Sequence, residues 1–357
     1  MKSKKILLLL TVTLLSIFIS ACTGSAYSST SWHGLVANTD TAYLSAGNQV
    51  YAIDVNTGSE KWRYPEKPNT KGFYANPVLT PDEQLLIPSY DNKLYSLNPA
   101  TGSENWNFED SSNRLIASPL VVNDTIYQPS SDGYIYALDM NGRVVWKKET
   151  GGPLWAQPAS DSDCNCIYVA SMDHTVYSFD ASTGELLWHT PELGGAMVGT
   201  PAVGPDGGLY VGTFGNEMLA LDASDGSILW RFTTDDWVWS GPVFSNDILY
   251  FGDLSGYFYA VNALDGTSNW RIQPQNSIVD KPALLEDKIY LTTEGDSLFV
   301  ISTDGDIIDS RVVGGLIYSS PVITGETVLV APTNFDSLLI AMNLDINQKW
   351  TFTPAKK

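Results

Sequence analysis

Residues 52–62 read AIDVNTGSEKW, from Ala52 to Trp62. A strand of β-branched and aromatic residues runs into Asp54, whose side chain can accept from the backbone just ahead and start a turn. Thr57-Gly58 follows, and glycine can take the positive φ that closes a hairpin. Trp62 then falls on the returning strand, large enough to bury against the neighbouring blade, where the small Ala or Ser of the motif would leave room for it. The stretch recurs as SLNPATGSENW to Trp106, ALDMNGRVVW to Trp146, SFDASTGELLW to Trp188, ALDASDGSILW to Trp230, AVNALDGTSNW to Trp270 and AMNLDINQKW to Trp350. A further copy, VISTDGDIID, carries Asp309 at the tryptophan position. Seven intervals separate Trp62 from Trp350, so the period is about 41 residues, a length that fits a four-stranded propeller blade.

Working outward from the motif, each repeat holds a second hairpin upstream. It is seen in LLIPSYDNKLYSL, IYQPSSDGYIYAL and LYVGTFGNEMLAL, with tight turns at Asp91-Asn92, Asp132-Gly133 and Gly215-Asn216. Ahead of that lies a short strand opening on Pro77, Pro119, Pro158, Pro201, Pro242, Pro282 or Pro321, at spacings of 42, 39, 43, 41, 40 and 39 residues. Proline gives a ladder no N–H, so it marks an edge strand, here the innermost one. Blade 1 has Leu35 at the matching position. Four strands per repeat and eight repeats predict an all-β, eight-bladed β-propeller of antiparallel blades over residues 32–357. A seven-bladed ring with a spare repeat is disfavoured, because the last copy carries all four strands.

Residues 1–21 read as an export signal: Lys2, Lys4 and Lys5, an apolar run from Ile6 to Ile19, then Ser20-Ala21. Ile19-Ser20-Ala21-Cys22 resembles a bacterial lipobox, which makes Cys22 the expected lipidation site, and residues 22–31 a polar tether. The whole chain has a formal net charge of −20. Loss of the signal takes away three lysines and leaves −23, a field that repels nucleic acid and anionic headgroups. Cys164 and Cys166 leave two states open, a local disulfide or two free thiols. The three histidines, His33, His174 and His189, are scattered, and no metal site is expected.

The Trp-Gly motif resembles the tryptophan-docking repeat of the pyrroloquinoline-quinone (PQQ) family of propellers, over nearly all of the chain after residue 31. An acylated signal followed by eight repeats resembles, within it, the BamB-type lipoproteins of outer-membrane β-barrel assembly. That resemblance implies a non-enzymatic, lipid-anchored, extracytoplasmic scaffold. It would be a monomeric ring with protein partners in the cell envelope and no cofactor, its seven tryptophans serving as structural docking residues. Relatives of this type carry a Leu-Arg-Gly-like loop before the inner strand of the fourth blade. Here Gly151-Gly152-Pro153-Leu154-Trp155 stands there without an arginine, and Arg114 one blade earlier is the nearest substitute.

Two alternatives remain. A quinone-dependent dehydrogenase would need adjacent cysteines and a carboxylate- and amide-bound calcium. This chain has no Cys-Cys pair, and Asp235, Asp236 and Asp280 are isolated acids. A solute- or glycan-binding sensor would use an aromatic rim. Three residues before each proline stand Trp32, Tyr74, Ile116, Trp155, Val198, Trp239, Val279 and Tyr318, followed by the smaller or polar His33, Ala75, Ala117, Ala156, Gly199, Ser240, Asp280 and Ser319. Strand alternation would place the two sets on opposite faces. The first set reads either as inter-blade core or as a partner-binding rim. The loop Thr233 to Trp239 adds Trp237 to the candidates, and Gly-Gly pairs in KKETGGPLW and TPELGGAMV suggest mobile loops.

Overall fold

The computed structural model describes residues 32–68, 72–205 and 207–355. The export segment, Cys22 and the tether lie outside the described residues. Thirty-two strands form eight separate four-stranded antiparallel sheets, each contiguous in sequence, which together make an eight-bladed β-propeller. Blade 1 is β1 (Gly34–Ala37), β2 (Thr41–Ala46), β3 (Gln49–Asp54) and β4 (Glu60–Tyr64), paired in that order. The prolines stand immediately ahead of the inner strands, as Pro77 does before Val78–Leu79 and Pro119 before Leu120–Val122. In blade 1 the residue replacing proline does have an N–H to give, and Leu35 donates it to Asn76 Oδ1 of blade 2 at 2.9 Å.

The core is not central. It is divided into eight apolar seams, each between two neighbouring blades; one seam joins Tyr43, Val50 and Ala52 of blade 1 to Leu85, Ile87 and Tyr95 of blade 2. Middle strands are buried on both faces because each blade covers the next, whereas outer strands such as β4 are half-exposed.

The docking motif works through a β-bulge. In blade 1 the register shifts between Ala52 and Ile53, so Ala52 faces Trp62 while Ile53 faces Glu60. The same shift recurs in all eight blades, and the extra residue turns the tryptophan toward the next blade. Trp62 Nε1 donates to the Pro99 carbonyl of blade 2 at 2.9 Å. Its six-membered ring covers Gly102, whose φ is 71° and where a Cβ would lie 2.6 Å from the indole. Asp54 accepts from Asn56 N and Thr57 N, the turn that the sequence signals.

A second clip was not legible beforehand. A tyrosine of the second strand donates its hydroxyl to the same carbonyl as the tryptophan, as Tyr127 and Trp146 do to Ala181 O at 2.9 and 3.0 Å. The ring closes without a borrowed strand: blade 8 is built from its own four strands, ending at Gln348–Phe352. Trp350 Nε1 donates to Val55 O at 2.9 Å and its indole lies over Gly58. Cys164 and Cys166 are joined in a disulfide in the turn leading to Cys166–Ala170.

Candidate functional site

The loops that enter the inner strands are stapled between two blades. The residue four before six of the seven prolines gives its N–H to a turn of the preceding blade: Phe73 to Gly47 O, Leu115 to Ser89 O, Leu154 to Ser130 O, Met197 to Ser171 O, Val238 to Thr213 O and Ile278 to Asp253 O. One residue earlier, a carbonyl accepts from the blade's own turn, as Gly72 O does from Tyr90 N at 2.8 Å and Trp237 O from Leu254 N at 3.0 Å. Phe73, Leu115, Leu154, Met197, Val238, Ile278 and Ile317 are buried. They are the core anchors of these loops; of the set one residue later, Val198 is buried as well and Trp32 is exposed.

That set converges instead. Trp32, Tyr74, Ile116, Trp155, Val198, Trp239, Val279 and Tyr318 all line one cavity of about 150 Å³ at the mouth of the central channel. The expected opposite-face arrangement is overturned. His33, Ala75, Ala117, Gly199, Asp280 and Ser319 line the same cavity, because the loops at these positions are irregular and not extended strand. In the Gly-Gly loops a Cβ on Gly195 would lie 2.1 Å from Gly215 N, and one on Gly151 would lie 2.2 Å from Asp173 Oδ2. These glycines permit close approach of backbone to turn.

Six candidate binding residues separate into two groups and one bridge. Tyr74 packs on Tyr90 at 4.3 Å between ring centroids, and the Arg114 guanidinium stands over Tyr90 at 5.3 Å. Trp239 meets Trp32 edge to face at 5.7 Å, and Trp32 lies 6.2 Å from Tyr318. Trp237, 44 % exposed, stacks on Phe214 at 4.6 Å, and Phe214 in turn contacts Trp239 at 5.3 Å. Trp155 of blade 4 stands between the groups. The structure thus brings Tyr74, Trp155, Trp239 and Tyr318 into the mouth, and leaves Arg114 and Trp237 outside its lining, tied to it through Tyr90 and Phe214.

Several buried polar atoms around the mouth have no hydrogen-bond partner in the protein: Trp155 Nε1, His33 Nδ1 and Ser319 Oγ. Burial lowers the His33 pKa to about 4, against the raising effect of its bond to the Pro332 carbonyl, so the ring is neutral at pH 7. Burial, then the carboxylate of Glu294 that accepts its hydroxyl at 3.1 Å, raises the Tyr318 phenol. These atoms belong to residues that line the mouth, but the atoms themselves are buried away from solvent.

Sequence reasoning passed over Tyr90, Phe214 and Glu294. They share one repeat position, in the turn one or two residues past the second strand, occupied by Tyr90, Ser131, Met172, Phe214, Leu254 and Glu294. A position that keeps its backbone bond in each blade while changing its chemistry is not set by blade packing, and that variability was the available signal.

The quinone and calcium of PQQ enzymes do not fit this mouth. Asp280 Oδ1 and Oδ2 are taken by the backbone N–H groups of Lys281 and Ser320, and Asp235 is engaged by Arg271 and Tyr259. Neither Cys164 nor Cys166 lines the cavity. Among the described residues no three His, Cys, Asp or Glu side chains gather to hold a metal.

The family model described as outer membrane protein assembly factor BamB matches residues 19–157 and 172–311. The chain belongs to the BamB family. BamB of Taylorella asinigenitalis (strain MCE3) is 32 % identical over 109 residues, which is 29 % of this chain and 26 % of that protein. BamB of Francisella tularensis subsp. tularensis (strain SCHU S4 / Schu 4) is 35 % identical over 60 residues, 16 % of this chain and 13 % of that one. The matched stretches thus span about a quarter and an eighth of those two relatives. The crystal structure of BamB from Moraxella catarrhalis superposes with a TM-score of 0.70 at 18 % identity, covering 86 % of this chain and 92 % of that one. The computationally designed Ika8 protein superposes with a TM-score of 0.74 at 13 % identity, over 91 % and 97 %. A ring shared by BamB and a designed protein shows the fold and carries no function by itself.

Proposed function

We propose that this protein is a lipid-anchored, non-enzymatic scaffold of the cell envelope that docks protein partners on the channel-mouth face, in the service of outer-membrane protein assembly. The observation that carries this is the convergence of eight separate loops on one mouth, with aromatic rings and unpaired polar atoms where blade packing asks for neither. Aromatic and arginine anchors of this kind contribute most of the energy at protein interfaces. The Tyr74–Tyr90–Arg114 group and the Phe214–Trp237–Trp239 group give two anchor points on one rim, as a clamp on an extended segment needs. Cys22 carries the acyl anchor, and the acidic surface keeps the ring away from anionic headgroups.

Photo-crosslinking in the native envelope tests this, with probe residues at Tyr74 and Trp237 and a control at Val145 on an outer strand. The expected result is a discrete protein adduct from both mouth positions and none from the control, weakened about tenfold by Arg114→Ala. Adducts that are equal at all three positions, or absent from both mouth positions, overturn the reading. Cys22→Ala should release the chain from the membrane fraction.

A further inference from the structure

One corner of the mouth has a composition that protein docking does not require. Trp32, Trp239 and Tyr318 wall it, Leu254 and Val279 complete the apolar surface, and Glu294 is the single charged side chain in its lining. This corner is a cavity of its own, of about 230 Å³, which shares Trp32, Trp239, Val279 and Tyr318 with the main cavity of the mouth. The two indoles meet at 87°, and the Tyr318 ring is tilted 38° to Trp32, so ring faces are presented in more than one direction. Trp32 is 37 % exposed, which leaves the corner open to solvent.

We propose that this corner binds a quaternary ammonium group, free or as a lipid headgroup of the choline type. The negative faces of tryptophan and tyrosine attract a cation through the ring quadrupole. The Glu294 carboxylate lies beside them, oriented by the Tyr318 hydroxyl at 3.1 Å. Lys281, the cation of the mouth, lines the main cavity and not this corner. The net charge of −20 adds a long-range attraction for cations and disfavours anions. A primary ammonium would have to give up hydrogen bonds with water, and these walls return them only at Glu294. A methylated ammonium has no N–H to leave unpaired, so an aromatic and aliphatic box suits it better. The inference goes beyond docking, because it concerns a small group bound without any protein partner.

The test uses the purified full chain with Cys22→Ser, so that acylation does not itself hold the protein on lipid. Tryptophan emission is followed during titration with tetramethylammonium, with choline, and with 3,3-dimethylbutan-1-ol, the neutral isostere of choline. Saturable binding of both cations is expected, with the neutral alcohol about tenfold or more weaker. Trp239→Leu and Glu294→Gln should each weaken choline binding about tenfold, while Val145→Ser, on an exposed outer strand of blade 3, should leave it unchanged. The isostere comparison needs no variant and so stands even if one fails to fold. Sedimentation with phosphatidylcholine vesicles separates the sources: choline-sensitive co-sedimentation assigns the lipid headgroup, and choline binding without co-sedimentation assigns the free ligand. No saturable response to either cation, or equal binding of alcohol and choline, overturns the proposal.

Discussion

At the seam between blades 8 and 1, the Trp350 indole covers Gly58 and donates to Val55 O. The Tyr51 and Phe352 rings meet at 5.5 Å, and Thr324 Oγ1 donates to Asn38 O. At the seam between blades 7 and 8, Asp309 stands where the tryptophan belongs and Ile346 where the glycine belongs. The two departures are matched. Ile346 is buried in an aliphatic seam with Val300, Val328 and Met342, and it holds a φ of 49° despite its branched side chain. Val300 pairs with Asp309, where other blades pair a smaller Ala or Ser with the tryptophan. Tyr290 still donates to Leu344 O at 2.9 Å, and Arg311 donates to Ile346 O at 3.1 Å. The lesson is that the motif consists of an indole and the vacancy that receives it, so a blade can lose the one only if its neighbour fills the other.

The comparison can be broken most forcefully at the closing seam. Trp350→Ala should destabilise the ring by about 4 kcal/mol in denaturant unfolding, from lost indole burial and one hydrogen bond. Asp309→Ala, at the exposed equivalent position, should change stability by no more than about 0.5 kcal/mol. Equal effects of the two would show that the closing indole has no special role.

A second effect belongs to the mouth side of the same closing seam. His33 has a pKa of about 4 in the folded chain because of burial, against 6.5 for an imidazole side chain in water. As pH falls from 6.5 toward 4 the unfolded chain takes a proton that the folded one refuses, so stability falls through that window and the loss levels off below it. The shift corresponds to about 3 kcal/mol. His33→Gln should flatten the slope of unfolding free energy between pH 6.5 and 4. The turn carboxylates Asp54, Asp180, Asp225 and Asp265 are held below the usual carboxylate value, chiefly by hydrogen bonds from their own turns, so their contribution is lost at the acid end of this window and below it.

The smallest effect sharpens the matched exceptions. Asp309→Trp alone should cost about 2 kcal/mol, since Ile346 fills the place the indole needs. Adding Ile346→Gly and Val300→Ala should recover most of that loss, and a purely additive outcome would refute the pairing of the two departures.

The fold was legible because its signals are local. Asp54, Gly58 and Trp62 lie within nine residues of one another, and their turn, bulge and indole recur at a constant interval. The mouth was only half legible. Tyr74, Trp155, Trp239 and Tyr318 stood out by alignment, but strand alternation misplaced their neighbours, since the staples at Phe73 and Val238 hold those loops off extended geometry. Tyr90 and Phe214 were passed over because they belong to a different turn of the blade, where only the variability of the repeat position marks them.

By itself, the amino-acid sequence determined the number of blades, the order of strands within each and the indole that joins most of them to the next. Those features depend on hydrogen bonds and packing among residues close in the chain, repeated until the ring is complete. Only the tertiary structure decided that the chain closes on itself through Trp350 and Gly58, that Cys164 and Cys166 are bonded, and that Trp32, Trp239, Tyr318 and Glu294 share one corner. Apart from the disulfide, whose cysteines stand two positions apart, those contacts join residues from tens to hundreds of positions apart. Their meeting is set by the curvature accumulated over eight blades, a property of the whole ring that no short stretch of sequence contains.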